Sequence, residues 1–138
     1  MAGTGRDDAY VAITRDIRVE VRPRFIPEQS DPAGGRYVWA YAVRIENTGP
    51  LAIQLLTRHW VITDGLGRVE EVRGPGVVGE QPVIAPGDSY SYTSGCPLST
   101  ASGVMEGSYG RRTASGDMFD ADIPAFSLDL PTANRRMN

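Results

Sequence analysis

The sequence predicts an all-β protein, built as a two-sheet β-sandwich of about seven strands. Three observations support this prediction. The 138 residues include 16 glycines and 10 prolines, spread from about Pro23 onward, which leave few windows long enough for a stable helix. The windows between them alternate apolar and polar residues, which is the period of a half-buried strand. Turn-forming residues recur every dozen residues or so, as they do in antiparallel sandwiches.

The first two strand windows show the alternation most clearly. Between Val11 and Arg22 the apolar residues occupy odd positions, and arginine and glutamate occupy the even positions near the end. The window over residues 37–46 repeats this pattern with larger side chains. Its inward-facing residues are predicted to be Tyr37, Trp39, Tyr41, Val43 and Ile45. The sequence Asn47-Thr48-Gly49-Pro50 then closes this second strand as a turn.

The middle of the chain is ambiguous between strand and helix. Leu51–Thr63 carries apolar residues at helical spacing, but it ends in the β-branched run Val61-Ile62-Thr63. Asp64-Gly65-Leu66-Gly67 follows, and it has the composition of a hairpin turn leading into residues 68–73. We therefore predict a strand and a shorter partner strand here.

Three further windows complete the predicted strands. Tyr90 and Tyr92 alternate with serines, and residues 104–109 form a short window bounded by glycine. Residues 119–128 form the last strand, which Pro124 interrupts. Because proline cannot donate to a sheet ladder, we expect Pro124 at a sheet edge or a bulge.

Length and composition fit one domain, which we place at residues 10–130 between loose ends at residues 1–9 and 131–138. Hydrophobic residues make up 41% of the chain and charged residues 22%, a globular composition. No apolar run approaches the roughly 18 residues of a membrane span, and the polar start lacks a secretory signal. A net charge of −3 does not favour nucleic-acid binding. The single cysteine, Cys96, fits a reducing compartment, so we expect a cytoplasmic protein.

Residues Gly74–Gly79 match the pattern G-x-G-x-x-G of dinucleotide-binding folds. The required context is missing, because Glu80-Gln81-Pro82 follows at once and no helical window comes after it. Two interpretations stay open. The glycines either allow a connection with positive φ angles, or they direct backbone N–H groups at an anion. Pro75 would remove one donor from such an anion cradle.

No constellation of catalytic or metal-ligating residues is evident. His59 and Cys96 are the only residues of their types, and together they cannot supply the usual zinc ligands. A Cys96 nucleophile would need His59 as its base, whereas His59 has the pattern of a packed or hydrogen-bonded side chain. All 14 basic residues are arginine, which excludes lysine chemistry. We therefore predict no enzyme, no cofactor and no metal site, with a hard cation held by carboxylates as the weaker alternative.

The chain resembles the ApaG family, also called CorD, from about Tyr10 to Asn134. The resemblance is strongest at Arg58-His59-Trp60 and at Gly76-Val77-Val78-Gly79-Glu80-Gln81-Pro82. It implies an immunoglobulin- or fibronectin-III-like sandwich, and it makes Leu51–Thr63 a strand. Related domains in F-box and polymerase-delta-interacting proteins imply contact with a protein. The CorD name implies an indirect role in cobalt and magnesium homeostasis, and the resemblance implies no catalytic residues.

We therefore predict a non-catalytic binding module that contacts another protein. The first predicted surface consists of Arg73, Gly74, Gly76, Gly79, Glu80 and Gln81. The second consists of Arg58, His59 and Trp60, where strand alternation buries either His59 or Trp60. The alternative is a sensor of a phosphate or nucleotide anion, or of Mg²⁺ or Co²⁺, on the loop of residues 74–82. We expect no nucleic-acid or membrane partner, and exposed sheet edges are compatible with a monomer or a homodimer.

Overall fold

The structure is a computed structural model that describes residues 9–131. The described part of the chain contains nine β-strands and two short 3₁₀ turns, Pro27–Gln29 and Pro32–Gly34, and it contains no α-helix. The strands are β1 (Tyr10–Thr14), β2 (Ile17–Phe25), β3 (Tyr37–Asn47), β4 (Ile53–Asp64), β5 (Val69–Pro75), β6 (Val83–Ile84), β7 (Ser89–Leu98), β8 (Gly103–Thr113) and β9 (Met118–Leu128).

The strands form two antiparallel sheets, which confirms the predicted sandwich. The first sheet has the order β1-β2-β3-β7, and the second has the order β5-β4-β8-β9, with β6 paired to the start of β4. On one side the sheets pack closely, because β1 and β2 contact β9. The indole nitrogen of Trp39 also donates a hydrogen bond to the Asp129 carbonyl oxygen across the two sheets, at 2.8 Å. The outer strands on the other side are β5 and β7, which do not pair.

The strand count differs from the expected seven for two reasons. Residues Val11–Arg22 form two strands, because the chain reverses at Arg15 and Asp16 between β1 and β2. Alternation does not reveal this turn, since apolar residues keep odd positions on both sides of it. The expected inward face of β1 is wrong, because the turn reverses the phase: Val11 and Ile13 are 42% and 67% exposed, and Ala12 lies opposite the buried Val19. The second addition is β6, whose two residues are too few to show a period.

Other local predictions are confirmed. Residues 51–63 lie mainly in β4, and Asp64–Gly67 joins β4 to β5 as a hairpin. The Asp64 carboxylate caps this turn, because it accepts hydrogen bonds from the backbone N–H groups of Leu66 and Arg68 at 2.9 and 3.0 Å. Pro124 lies in the edge strand β9, where the register with β8 shifts between Met105 and Gly107. It therefore occupies both the edge and the irregularity that its missing N–H requires.

The core between the sheets is rich in aromatic rings. Trp60 makes edge-to-face contacts with Tyr41, Tyr109 and Phe126, with ring centroids 5.3 to 6.5 Å apart. Such geometries bring the positive edge of one ring to the negative face of another. The inward-facing residues of β3 behave as alternation predicts, since Trp39, Tyr41, Val43 and Ile45 are buried and Tyr37 is half-buried.

No helix in the described range is long and apolar enough to cross a membrane. The predicted loose ends, residues 1–9 and 131–138, lie outside the described residues except for Ala9 and Pro131.

Candidate functional site

The glycine-rich segment forms a tight loop at the end of β5. The N–H of Val77 donates to the carbonyl oxygen of Glu80 at 2.6 Å, and the N–H of Glu80 returns a hydrogen bond to Val77 at 3.0 Å. Gly79 lies within this closed turn and Gly76 precedes it, and their φ angles of 81° and 69° favour glycine. Val77 is fully buried and anchors the loop in the core.

A β-bulge in β4 holds this loop in place. The register between β4 and β8 shifts between Leu55 and Thr57, which makes Leu56 the extra residue. The Leu56 carbonyl oxygen accepts the N–H of Gly76 at 2.6 Å and the side-chain amide of Gln81 at 2.9 Å. The N–H groups of Gly76, Val77 and Glu80 are thus all hydrogen-bonded within the protein, and these are three of the donors that an anion cradle would use.

Arg58 supports the loop from β4. Its Nη1 donates to the carbonyl oxygens of Pro75 and Gly76 at 3.0 and 3.3 Å. The guanidinium lies against Gly74, where a Cβ atom would come within 3.0 Å of Nη1. No carboxylate among residues 9–131 forms an ion pair with Arg58. Arg58 therefore combines a structural role with a positive charge that has no counterion in the described part of the chain.

A groove of about 380 Å³ opens between β5 and β7, where the two sheets stay apart. Aromatic and aliphatic side chains line it together with the guanidinium of Arg58 and the carboxylate of Glu70. The apolar lining includes Tyr41, Trp60, Ile62, Val72, Val77, Val78, Tyr92, Leu98 and Met105. Its volume lies within the roughly 300–1,000 Å³ of ordinary ligand pockets, and a few polar groups on an apolar wall are typical of such sites.

The tyrosines of the groove are neutral over the physiological range. Burial raises the pKa of Tyr41 and Tyr92, while a hydrogen bond between Tyr41 and Ser94 and one between Tyr92 and Tyr109 act in the opposite direction. The positive charge of Arg58 also lowers both values to a smaller extent. The charged groups that line the groove are therefore Arg58 and Glu70.

Cys96 and His59 are not brought together. Cys96 is buried and lines the groove, and burial, followed by the charge of Glu70, raises the pKa of its thiol to about 11. His59 lies on the outer face of its sheet, where its Nε2 is 2.9 Å from a carboxylate oxygen of Glu71. A thiolate–imidazole pair, which a cysteine hydrolase needs, is not formed between these residues.

The outer face of the β4–β5 hairpin carries a small charged cluster. Glu71 contacts His59 and also accepts a hydrogen bond from Arg73 at 3.2 Å. The hydrogen bond with His59 lowers the pKa of Glu71, and the charge of Arg73 adds to this effect although solvent loss opposes it. Trp60, the neighbour of His59, is buried, so alternation separates the two as predicted.

The predicted site residues therefore fall into three places. Arg58 and Trp60 line the groove, whereas His59 and Arg73 lie on the outer face. The third group forms or flanks the glycine-rich loop and consists of Gly74, Gly76, Gly79, Glu80 and Gln81. Val77 and Val78 of the same loop contribute to the groove wall. No group of three or more His, Cys, Asp or Glu side chains within residues 9–131 is placed to hold a metal ion.

Val78 lines the groove and was not among the predicted site residues. It has a φ angle of 48°, unusual for a β-branched residue, and its side chain is 57% exposed at the groove. The preceding residue, Val77, is fully buried. The available signal was the pair of valines between two glycines in a tight turn, where only one of them can face the core.

Comparisons with known proteins agree with this architecture. The family model of the ApaG domain matches residues 27–113. The chain is 60% identical to Protein ApaG of Mesorhizobium japonicum, over 94% of this chain and 99% of the relative. It is equally identical to Protein ApaG of Rhodospirillum centenum, with the same coverage. The crystal structure of an ApaA protein from Bordetella pertussis superposes with a TM-score of 0.83 at 53% identity, covering 84% of this chain and 94% of that one. The chain belongs to the ApaG family.

Proposed function

We propose that this chain is a non-catalytic binding module that takes an extended segment of a partner protein into the groove between β5 and β7. The observation that carries the proposal is that β5 and β7, which border the groove, are edge strands with no further strand paired to them among residues 9–131. An edge strand presents backbone N–H and C=O groups that an extended peptide can pair with. The indirect role in cobalt and magnesium homeostasis that the family resemblance implies would then pass through this partner.

The lining of the groove supports a particular kind of segment. Tyr92, Ile62 and Val72 are partly exposed in the groove, beside the buried Tyr41 and Trp60. They offer apolar surface, which suits aromatic or aliphatic side chains. Arg58 offers a cation without a counterion among the described residues, which suits an acidic side chain or a terminal carboxylate. We therefore propose an extended segment in which one carboxylate lies between apolar residues.

The strained position of Val78 supports the same site. A non-glycine residue with positive φ costs about 1–3 kcal/mol, and such residues concentrate where a protein binds its ligands. Val78 places a large apolar side chain at the groove, whereas the neighbouring Val77 packs in the core. An exposed apolar residue held at this cost is consistent with a contact to a partner.

The experiment is a selection of linear peptides from a random display library, followed by affinity measurements on synthetic peptides. We expect enriched peptides to contain one acidic residue between apolar residues. Arg58→Met and Val78→Asp should each weaken binding about tenfold or more, because a lost charge-assisted hydrogen bond or a buried charge costs at least about 1.4 kcal/mol. Arg73→Gln, on the outer face, is the matched control and should leave affinity unchanged.

Arg58→Met could weaken binding by disturbing the loop that Arg58 supports. Val78→Asp is an independent variant, because the Val78 side chain is exposed and its replacement does not remove a core contact. Equal affinity for wild type, Arg58→Met and Val78→Asp would contradict the proposal. A selection that enriches no peptide over the unselected library would also contradict it. The alternative, an anion or cation sensor on the loop of residues 74–82, stays a prediction. Anion binding there is disfavoured because the N–H groups of Gly76, Val77 and Glu80 are already hydrogen-bonded within the protein.

A further inference from the structure

A buried arginine lies at one end of the sandwich, away from the residues of the groove. Arg111 in β8 is only 2% exposed, and its Nε atom has no hydrogen-bond partner among residues 9–131. Within residues 9–131 its guanidinium makes no ion pair either. Burial of a charge without a hydrogen-bonded counterion is costly, so such a group in a native fold requires an explanation.

A second arginine approaches the same place. Arg111 lies directly opposite Phe119 in the β8–β9 ladder, and its guanidinium carbon is 4.2 Å from the centre of that ring. The guanidinium carbon of Arg15, from the β1–β2 turn, is 3.6 Å from the same ring centre. Cation–π contact stabilises each arginine in part, but it does not satisfy their N–H donors. Burial, followed by the charge of Arg15, lowers the pKa of Arg111.

Both arginines line a cavity of about 200 Å³. Its walls are the β1–β2 turn, the connection from β3 to β4 and the β8–β9 hairpin. Asn47 fixes the middle wall, because its side-chain amide donates to the carbonyl oxygens of Leu51 and Ile84 at 2.8 and 2.9 Å. The side chain of Arg111, which carries one buried donor without a partner among the described residues, therefore borders a cavity whose middle wall is hydrogen-bonded in place.

We propose that this cavity binds a small tetrahedral oxyanion, either free phosphate or sulfate or the terminal group of a phosphate monoester. Two guanidinium groups supply planar, forked donors that match such oxygens. The cavity is smaller than pockets that enclose a whole drug-sized ligand, so it fits the charged group and not a complete nucleotide. The site is distinct from the glycine loop and from the groove.

Two carboxylates also border the cavity and affect its expected affinity for anions. Asp16 and Asp117 line it, and neither forms an ion pair with Arg15 or Arg111. They oppose anion binding through their charge, so the ion must sit on the guanidinium side. Asp16→Asn removes one opposing charge and should therefore tighten binding.

The test is an amide NMR titration of the full chain with sodium phosphate at constant ionic strength, using sodium chloride as the balancing salt. Constant ionic strength separates a bound ion from general screening. We expect saturable shifts at Arg15, Gly49 and Arg111. Methyl phosphate and acetate serve as parallel ligands. Tighter binding of methyl phosphate identifies a monoester group as the preferred source, and tighter binding of inorganic phosphate identifies the free ion.

Arg111→Met should weaken phosphate binding by about tenfold or more, because charge-assisted hydrogen bonds are lost. Arg112→Gln is the matched control, since it removes the same charge from the adjacent exposed residue, whose Nη2 donates to Gln54. Arg15→Asn, at an exposed turn that asparagine tolerates, provides a second variant that does not alter the core. Non-saturable shifts would overturn the proposal. So would equal affinities of Arg111→Met and Arg112→Gln, or acetate binding as tightly as phosphate.

Discussion

The phenol of Tyr92 in β7 hydrogen-bonds to the phenol of Tyr109 in β8, and this contact joins the two sheets beneath the groove. Tyr109 is fully buried, and this is its only side-chain hydrogen bond among the described residues. Burial raises the pKa of both phenols, so each remains a neutral donor or acceptor near neutral pH. The spacing of the two sheets at the groove therefore depends on a satisfied polar pair.

Tyr92→Phe leaves the Tyr109 hydroxyl buried without a partner, and it should lower the free energy of unfolding by about 1–3 kcal/mol. Replacing both tyrosines by phenylalanine removes the unsatisfied group. The double variant should therefore lose less stability than the sum of the single variants, by about 0.5 kcal/mol or more. Urea unfolding of the four proteins measures this coupling. Strict additivity would show that the two hydroxyls do not act as a pair.

Gly76→Ala should destabilise the protein more than Gly79→Ala. Both glycines have positive φ angles, so alanine costs about 1–2 kcal/mol at either position. At Gly76 the added Cβ would also collide with the Glu80 carbonyl oxygen, whereas the space at Gly79 is open. We expect an additional cost of about 1–3 kcal/mol at Gly76, as for other overpacked sites. Thermal or urea unfolding compares the two, and equal losses would contradict the described loop.

Val78→Gly should raise the free energy of unfolding by about 0.5–1 kcal/mol. The substitution relieves a strained φ angle, and it removes a side chain that is largely exposed, while glycine adds some entropy to the unfolded chain. Val77→Ala, at the adjacent buried valine, is a control with the opposite expected sign. It should lower the free energy of unfolding, because it removes buried methyl groups. Urea unfolding gives both values. A clear loss of stability in Val78→Gly would mean that Val78 is held for packing and not for binding.

The Cys96 thiol should react slowly in the folded protein. Because its pKa is raised to about 11, little thiolate is present at pH 8, and the buried position also limits access. We expect labelling by a thiol reagent at pH 8 to be on the order of 100-fold slower than in urea-unfolded protein, and to accelerate as the pH approaches the thiol pKa. Fast native labelling at pH 8 would indicate an activated cysteine.

Local sequence patterns predicted the parts of the fold that depend on local chemistry. The β3 alternation identified Trp39 and Tyr41 as inward-facing, and the missing N–H of Pro124 correctly indicated an edge and an irregularity. The turn at Arg15 escaped detection because apolar residues keep their phase on both sides of it. A two-residue turn inside a continuous alternation hides the end of the strand and the reversal of its faces, so Val11 and Ile13 are exposed although they share the phase of the buried Val19.

The groove was less predictable, because its residues come from distant parts of the chain. Tyr41, Trp60 and Tyr92 lie on β3, β4 and β7, and their meeting depends on the strand order in two sheets. Arg15 and Arg111 are also distant in sequence. They come close because β1 and β2 pack against β9, where both guanidinium groups contact the ring of Phe119. The glycine motif directed attention to a loop that borders the groove, but three of its amides are hydrogen-bonded within the protein and its exposed Val78 is the residue that reaches the groove.

An amide NMR titration of labelled protein with one selected peptide, which has an acidic residue between apolar residues, tests whether the groove binds an extended segment. We expect saturable shifts along β5 and β7 and at Val78, and their loss in Val78→Asp. Shifts confined to the outer face around His59, Glu71 and Arg73 would contradict this expectation, and so would shifts that persist unchanged in Val78→Asp.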